Sequence, residues 1–256
     1  MSKLAPQYQF LDLSDYGRPL ARLFANGLKN TRFTPIHITL LFGVTGLVAI
    51  YCILQGQYLL ASLFIILKSI IDAVDGELAR VKKTPSYTGR YLDSIFDLIL
   101  NFLFLMTICY VSKTSFWLTF LAFLGIQLQG TLYNYYYVIL RSNSEGGDAT
   151  SQIFENKSPN ALPGESQKSV NILFAIYTIA YGVFDKIIHT LDSDAYKVKT
   201  FPNWFMTLVS LYGLGFQLLL IAVLLPLGWI EMIVPFFIVY SVLIFILIGI
   251  RKLYIK

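Results

Sequence analysis

Stretches of about twenty consecutive apolar residues recur along this chain, and a helix of that length, rising 1.5 Å per residue, crosses the ~30 Å hydrocarbon core of a bilayer. Inside lipid the backbone must satisfy its own N–H and C=O groups, which leaves helices as the structure that such runs can form. Composition agrees, since 56% of the 256 residues are hydrophobic and only 14% are charged. The expected fold is therefore all-α, a polytopic membrane protein with six transmembrane helices at roughly 36–54, 58–81, 91–112, 115–140, 204–226 and 230–250. The opening MSKLAPQYQFLDLSDYGRP holds no apolar run beside a small-residue cleavage site, so no cleavable signal is expected. Cys52 and Cys109 both fall within apolar spans and read as packing residues rather than a disulfide or a metal pair.

The links between spans are uneven. QGQ joins the first two, Lys113 and Thr114 join the third and fourth, and a few residues around Gly228 join the last two, so these are tight turns on one side. Of the 20 Lys and Arg, Lys113 lies on that side and Lys68 lies deep within a span, leaving 20 − 2 = 18 on the other. The positive-inside rule makes the long-loop side cytosolic, and the expected location is the cell (inner) membrane. The net charge of +5 follows from the same asymmetry, and no nucleic-acid motif accompanies it.

Ahead of the first span, Leu20, Leu23, Phe24 and Leu28 recur at helical spacing, with Arg18, Arg22 and Lys29 in other directions. This pattern predicts an N-terminal amphipathic juxtamembrane helix whose basic residues meet anionic headgroups at about 1 kcal/mol each. The 1–35 segment is accordingly expected to be a cytosolic N-terminus, and 36–256 the six-helix transmembrane domain with an insertion at 142–203. Within that insertion, 142–168 is polar and reads as a loop. Residues 169–184 are apolar but short, and read as an interfacial or partly re-entrant helix on the cytosolic side with Asp185 and Lys186 at its wet end, because a crossing there would invert the charge pattern of everything after it.

Against this background, DAVDGELARVKKTPSYTGRYLDSIFD at 72–97 stands out. Lys68, Asp72, Asp75 and Ala79 share one face of the second span, and Asp93, Asp97 and Asn101 share one face of the third. The turn between them brings Asp75 and Asp97 to about 12–13 Å below the same edge. One aspartate at the centre of a spanning helix costs ~2.5–3.5 kcal/mol, so four together require positive charge between them. Lys68 and Arg80 offset part; a divalent cation offsets more, and an all-carboxylate set suits Mg²⁺ or Mn²⁺. Gly76 and Ala79 strip bulk from the helix beside the carboxylates, and Arg80 offers a planar fork for phosphate. Metal, bare wall and arginine describe a diphosphate site that several phosphate chemistries could use.

The pattern D-x2-D-G-x2-A-R-x8-G-x3-D-x3-D, occupied here by Asp72, Asp75, Gly76, Ala79, Arg80, Gly89, Asp93 and Asp97, resembles the signature of the CDP-alcohol phosphotransferase family of integral membrane enzymes. The resemblance implies that Asp72, Asp75 and Asp93 hold two divalent cations, Mg²⁺ or Mn²⁺, that bridge the diphosphate of a CDP-linked donor. Asp97 would stand beside the second ion and act as general base on an acceptor hydroxyl, with CMP as leaving group. Gly76 and Ala79 would give cytidine room, Arg80 and Gly89 would shape the phosphate end, and the enzyme would be a homodimer among membrane lipids. One departure precedes the first span, where relatives often carry Pro-Asn and this chain has Pro35-Ile36; His37 reads as an interfacial polar residue. The resemblance implies CDP-diacylglycerol with a small polar alcohol, or CDP-choline or CDP-ethanolamine with diacylglycerol. For the acceptor, Lys68, Arg141 and the loop lysines are the basic candidates, with Gln127, Gln129, Tyr133 and Asn134 as polar wall. An ion-coupled transporter is the reading from another class, though the repeats and paired helix breaks of such proteins are not evident.

Overall fold

The helices that begin at Pro35 and Tyr87 start at a side-chain cap, and those that end at Lys82 and Ser112 stop at a left-handed residue. The computed structural model describes residues 4, 6–143, 155 and 157–255. Ten α-helices follow in order among them: α1 (Arg18–Leu28), α2 (Pro35–Leu54), α3 (Tyr58–Lys82), α4 (Tyr87–Ser112), α5 (Phe116–Ser142), α6 (Gln167–Leu191), α7 (Asn203–Ser210), α8 (Leu214–Leu224), α9 (Ile230–Tyr240) and α10 (Leu243–Tyr254). No strand occurs among the described residues. Thr34 caps α2 in a reciprocal box with His37, whose Nδ1 accepts the Thr34 N–H at 3.2 Å, so the histidine's work is to start the helix. Lys83 and Lys113 end α3 and α4 at φ 56° and 54°, and Gly56 and Gly228 turn the other tight links at φ 69° and 76°. Both cysteines are free.

Five helical runs are long and apolar enough to cross a membrane, namely α2, α4, α5, α6 and α9 with α10, and the bent pair α7–α8 makes a sixth candidate. The protein is thus an all-α polytopic membrane protein. The expected second span forms the 25-residue helix α3 but is not among these candidates, because Lys68, Asp72, Asp75, Glu77 and Arg80 leave it less apolar than its neighbours. Its charges are sheltered by protein, because α3 packs on α1, α2 and α8.

α1 is amphipathic as expected, with an unexpected division of faces. Ala21 and Ala25 are fully buried against Val74 and Leu78 of α3, while Leu20, Leu23 and Phe24 stay exposed. Small residues let α1 lie close to α3, and the larger apolar ones are left for lipid.

The fifth expected span is broken by 49° between α7 and α8. A Cβ on Gly215, just past the bend, would overlap the Ser14 carbonyl oxygen, so glycine here admits the N-terminal segment. Leu13 N–H donates to Ser210 Oγ at 3.0 Å in the same place. The polar residues of α5 next to this bend serve the core: Gln129 donates to Ser241 Oγ at 2.9 Å and accepts from Gln217 at 3.0 Å.

α6 departs most from expectation. It runs to 25 residues, well beyond 169–184 and past Asp185 and Lys186. Its length and composition would let it cross, yet both of its ends contact the same end of the bundle. Near its start, Glu165 takes bonds from Ser86 and Thr88 at the α4 N-terminus. At its finish, Asp192 accepts from Tyr136 at 2.7 Å and pairs with Arg251, close to the ends of α5 and α10. Between these points Phe174 packs on Tyr91 and Tyr181 donates to the Ser94 carbonyl, so about 10 Å of α6 matches about 5 Å of α4. The helix lies obliquely across α4 and α5.

Candidate active site

The hairpin of α3 and α4 is fixed first by its turn. Lys83 N–H bonds back to α3, and Ser86 begins α4 by accepting the Gly89 N–H at 2.8 Å. Caps of this kind contribute about 1 kcal/mol. A Cβ on Gly89 would stand 3.2 Å from Ser86 Oγ, so this glycine first of all permits the cap. Glu165 completes the helix start, taking Thr88 N–H at 2.7 Å and Tyr87 N–H at 3.2 Å beside its bond from Ser86 Oγ. Burial pushes this carboxyl up, and the Thr88 and Ser86 hydrogen bonds outweigh that and hold it below its ordinary value.

From that turn the two helices carry all eight motif residues into one cavity of about 640 Å³, a size usual for ligand pockets. Asp72, Asp75 and Asp93 each bring a carboxylate oxygen within 4.8 Å of the others. Asp75 is 8% exposed and accepts a 2.7 Å bond from Thr39 of α2. One buried oxygen of Asp93 has no hydrogen-bond partner among the described residues, and a buried oxygen left so beside two other carboxylates fits a cation. Asp97 does not join the three: Lys68, 1% exposed, donates to it and to Asp72 at 3.0 Å. Gly76 faces open space except for the Arg80 guanidinium, which a Cβ would meet at an ordinary 3.6 Å.

Several cavity residues carry no motif signal in the sequence. Glu77, 1% exposed, pairs with Arg80 at 2.9 Å and lies 3.7–3.9 Å from Arg22 and Arg18, tying α1 to the motif arginine. A buried glutamate in an apolar helix is as costly as an aspartate, and that cost is the signal Glu77 carries in the sequence. Arg90 is held by Glu155 at 2.5 Å, and the N-terminal segment brings Asp12 to Tyr133 at 2.6 Å. Of the residues read as acceptor wall, Tyr133, Asn134 and Arg141 line the cavity, whereas Gln127 and Gln129 are buried outside it.

A family model described as CDP-alcohol phosphatidyltransferase matches residues 32–246. The chain belongs to this family. A CDP-alcohol phosphatidyltransferase moves a substituted phosphate from a CDP-alcohol to an acceptor alcohol and depends on divalent cations, which agrees with the carboxylate cluster found here. The chain is also 29% identical over 154 residues to the Bifunctional IPC transferase and DIPP synthase of Thermococcus kodakarensis. That match covers 59% of this chain and 34% of the relative, so the chain spans about a third of that protein's length.

Proposed function

We propose that this CDP-alcohol phosphatidyltransferase takes CDP-diacylglycerol as donor and a small polar alcohol as acceptor, releases CMP, and works in phospholipid biosynthesis. The observation that carries the reaction is the convergence of Asp72, Asp75 and Asp93 within 4.8 Å, in one cavity with Asp97, Arg80 and the bare surface at Gly76. Asp72, Asp75 and Asp93 would hold Mg²⁺ or Mn²⁺, with Asp97 adjoining. Such ions neutralise the diphosphate and make its phosphorus easier to attack. Asp97 takes the proton of the acceptor hydroxyl as its oxygen bonds to the phosphorus nearer the alcohol and CMP leaves. Gly76 and Ala79 admit the cytidine end, while Arg80, steadied by Glu77, presents its remaining N–H groups to phosphate, with Gly89 shaping the turn beside it.

The choice of acceptor rests on the cavity wall. Asp12, Ser14, Arg18, Tyr133, Asn134 and Arg141 give a small polar molecule many partners and give acyl chains few. A CDP-choline or CDP-ethanolamine:diacylglycerol phosphotransferase is the second reading, and a transporter the remote one. CMP release separates all three. Purified protein should release CMP with CDP-diacylglycerol and one of a panel of polar alcohols, stop in excess EDTA, and resume with Mg²⁺ or Mn²⁺. Release only with CDP-ethanolamine and diacylglycerol would move the assignment to the second reading, and no release with any pair would favour transport.

The same reading places the α3–α4 turn and the oblique α6 on the cytosolic side of the cell membrane, and takes the protein to be a homodimer. In sealed right-side-out vesicles, cysteine at Gln57, in the tight turn before α3, should react with an impermeant thiol reagent. Cysteine at Lys29, just after α1, should react only once the vesicles are opened. The opposite labelling would reverse the orientation.

A further inference from the structure

The four carboxylates of the site are not treated alike by the protein. Lys68 lies one turn before Asp72 on α3, is 1% exposed, and donates to Asp72 Oδ2 at 3.0 Å and to Asp97 Oδ1. Its ammonium also lies 4.6 Å from the face of the Phe42 ring, so three groups fix it. A buried ammonium is tolerated because it is paired, and removing its partners or the lysine itself would leave charge uncompensated. By contrast, one buried Asp93 oxygen has no hydrogen-bond donor among the described residues. One cation position in this site is filled by a side chain, and the other calls for an ion.

Charge balance separates the two positions further. Four carboxylates and one ammonium leave three negative charges; one divalent ion reduces these to one, and a second would turn a largely buried site positive. A diphosphate, bringing negative charge of its own, removes that objection. Resting on the reaction proposed above, we infer that Lys68 stands in for one of the two divalent ions in the donor-free enzyme. The resting site then takes a single ion, at Asp72, Asp75 and Asp93, and a second binds with the donor and not before it. Lys68 is a positioning residue in this scheme: it holds Asp97 until the diphosphate arrives.

The test counts ions on the full-length detergent-purified protein with no donor present. Equilibrium dialysis against Mn²⁺ should find one ion per chain, with an electron paramagnetic resonance spectrum free of Mn–Mn coupling. Lys68→Met, which removes the resident cation, should take two ions and show coupling, and Lys68→Arg should still take one. Two coupled ions in the wild type would overturn the inference whether or not the Met variant folds, as would a folded Met variant that takes only one. CMP release assayed on the same preparations keeps the two proposals apart. Normal release with two ions bound at rest sinks the role of Lys68 alone; one bound ion with no release from any donor sinks the reaction and leaves the ion count standing.

Discussion

Replacing Asp97 by Asn is expected to leave CDP-donor binding intact and to lower CMP release by ~10²–10⁴-fold, the range usual for a positioned acid or base. Asp97 sits one turn after Asp93 on α4 and lines the same cavity, yet it stands apart from the three carboxylates that converge within 4.8 Å. Its partner is Lys68, which donates to Oδ1. Asparagine keeps that acceptor oxygen and nearly the same shape, so the helix pair and the three-carboxylate cluster should persist. What asparagine lacks is a basic oxygen to take the acceptor's proton. The loss should therefore fall on kcat, with the KM for donor close to wild type. Normal turnover with any acceptor would remove Asp97 as the base, and a matching collapse of donor binding would make it a metal ligand instead.

The site is far more legible in the sequence than the scaffold around it. Its aspartates are conspicuous because ionisable groups in apolar helices are costly, and the i, i+3 and i, i+4 spacings place each pair on one face of its helix, with the short turn bringing the two faces together. Helix existence is legible for a similar reason, since apolar length is a direct physical requirement of crossing lipid. Features set by contacts between distant segments are hidden. Beside the bend before α8, Ser14 settles against Gly215, about two hundred residues away in sequence. Gln129 reads as an acceptor contact because a polar residue in a span invites a functional reading; its partners, Gln217 and Ser241, lie on other helices. α6 is hard to read because an interfacial helix and a short span have the same composition, and what brings both its ends to one end of the bundle, Glu165 on Ser86 and Asp192 with Tyr136 and Arg251, is set by distant residues. Thr39 carries no signal in a stretch of β-branched residues, although its hydroxyl reaches Asp75.

That hydroxyl makes the second large effect divisible into two parts. Asp75→Asn is expected to weaken metal and donor binding together, because it removes one of three negative charges where the cation and the diphosphate meet. The Thr39 bond can be kept by the asparagine oxygen, so loss of fold should not obscure the result. Thr39→Val makes the complementary change, leaving the charge and removing the donor that orients it. Partners of metal ligands typically contribute 10–100-fold in affinity, so the Val variant should need roughly that much more Mn²⁺ for half-maximal CMP release, and the Asn variant roughly 10²-fold or more. Titrating Mn²⁺ by CMP release and by electron paramagnetic resonance on both variants checks the order. Donor KM should rise alongside the metal requirement in Asp75→Asn, since both bind through the same charge, whereas Asp97→Asn should move neither. If Asp75→Asn saturated with metal at the wild-type concentration, the carboxylate would be a structural partner of Thr39 and the ion would have to be held by Asp72 and Asp93 without it.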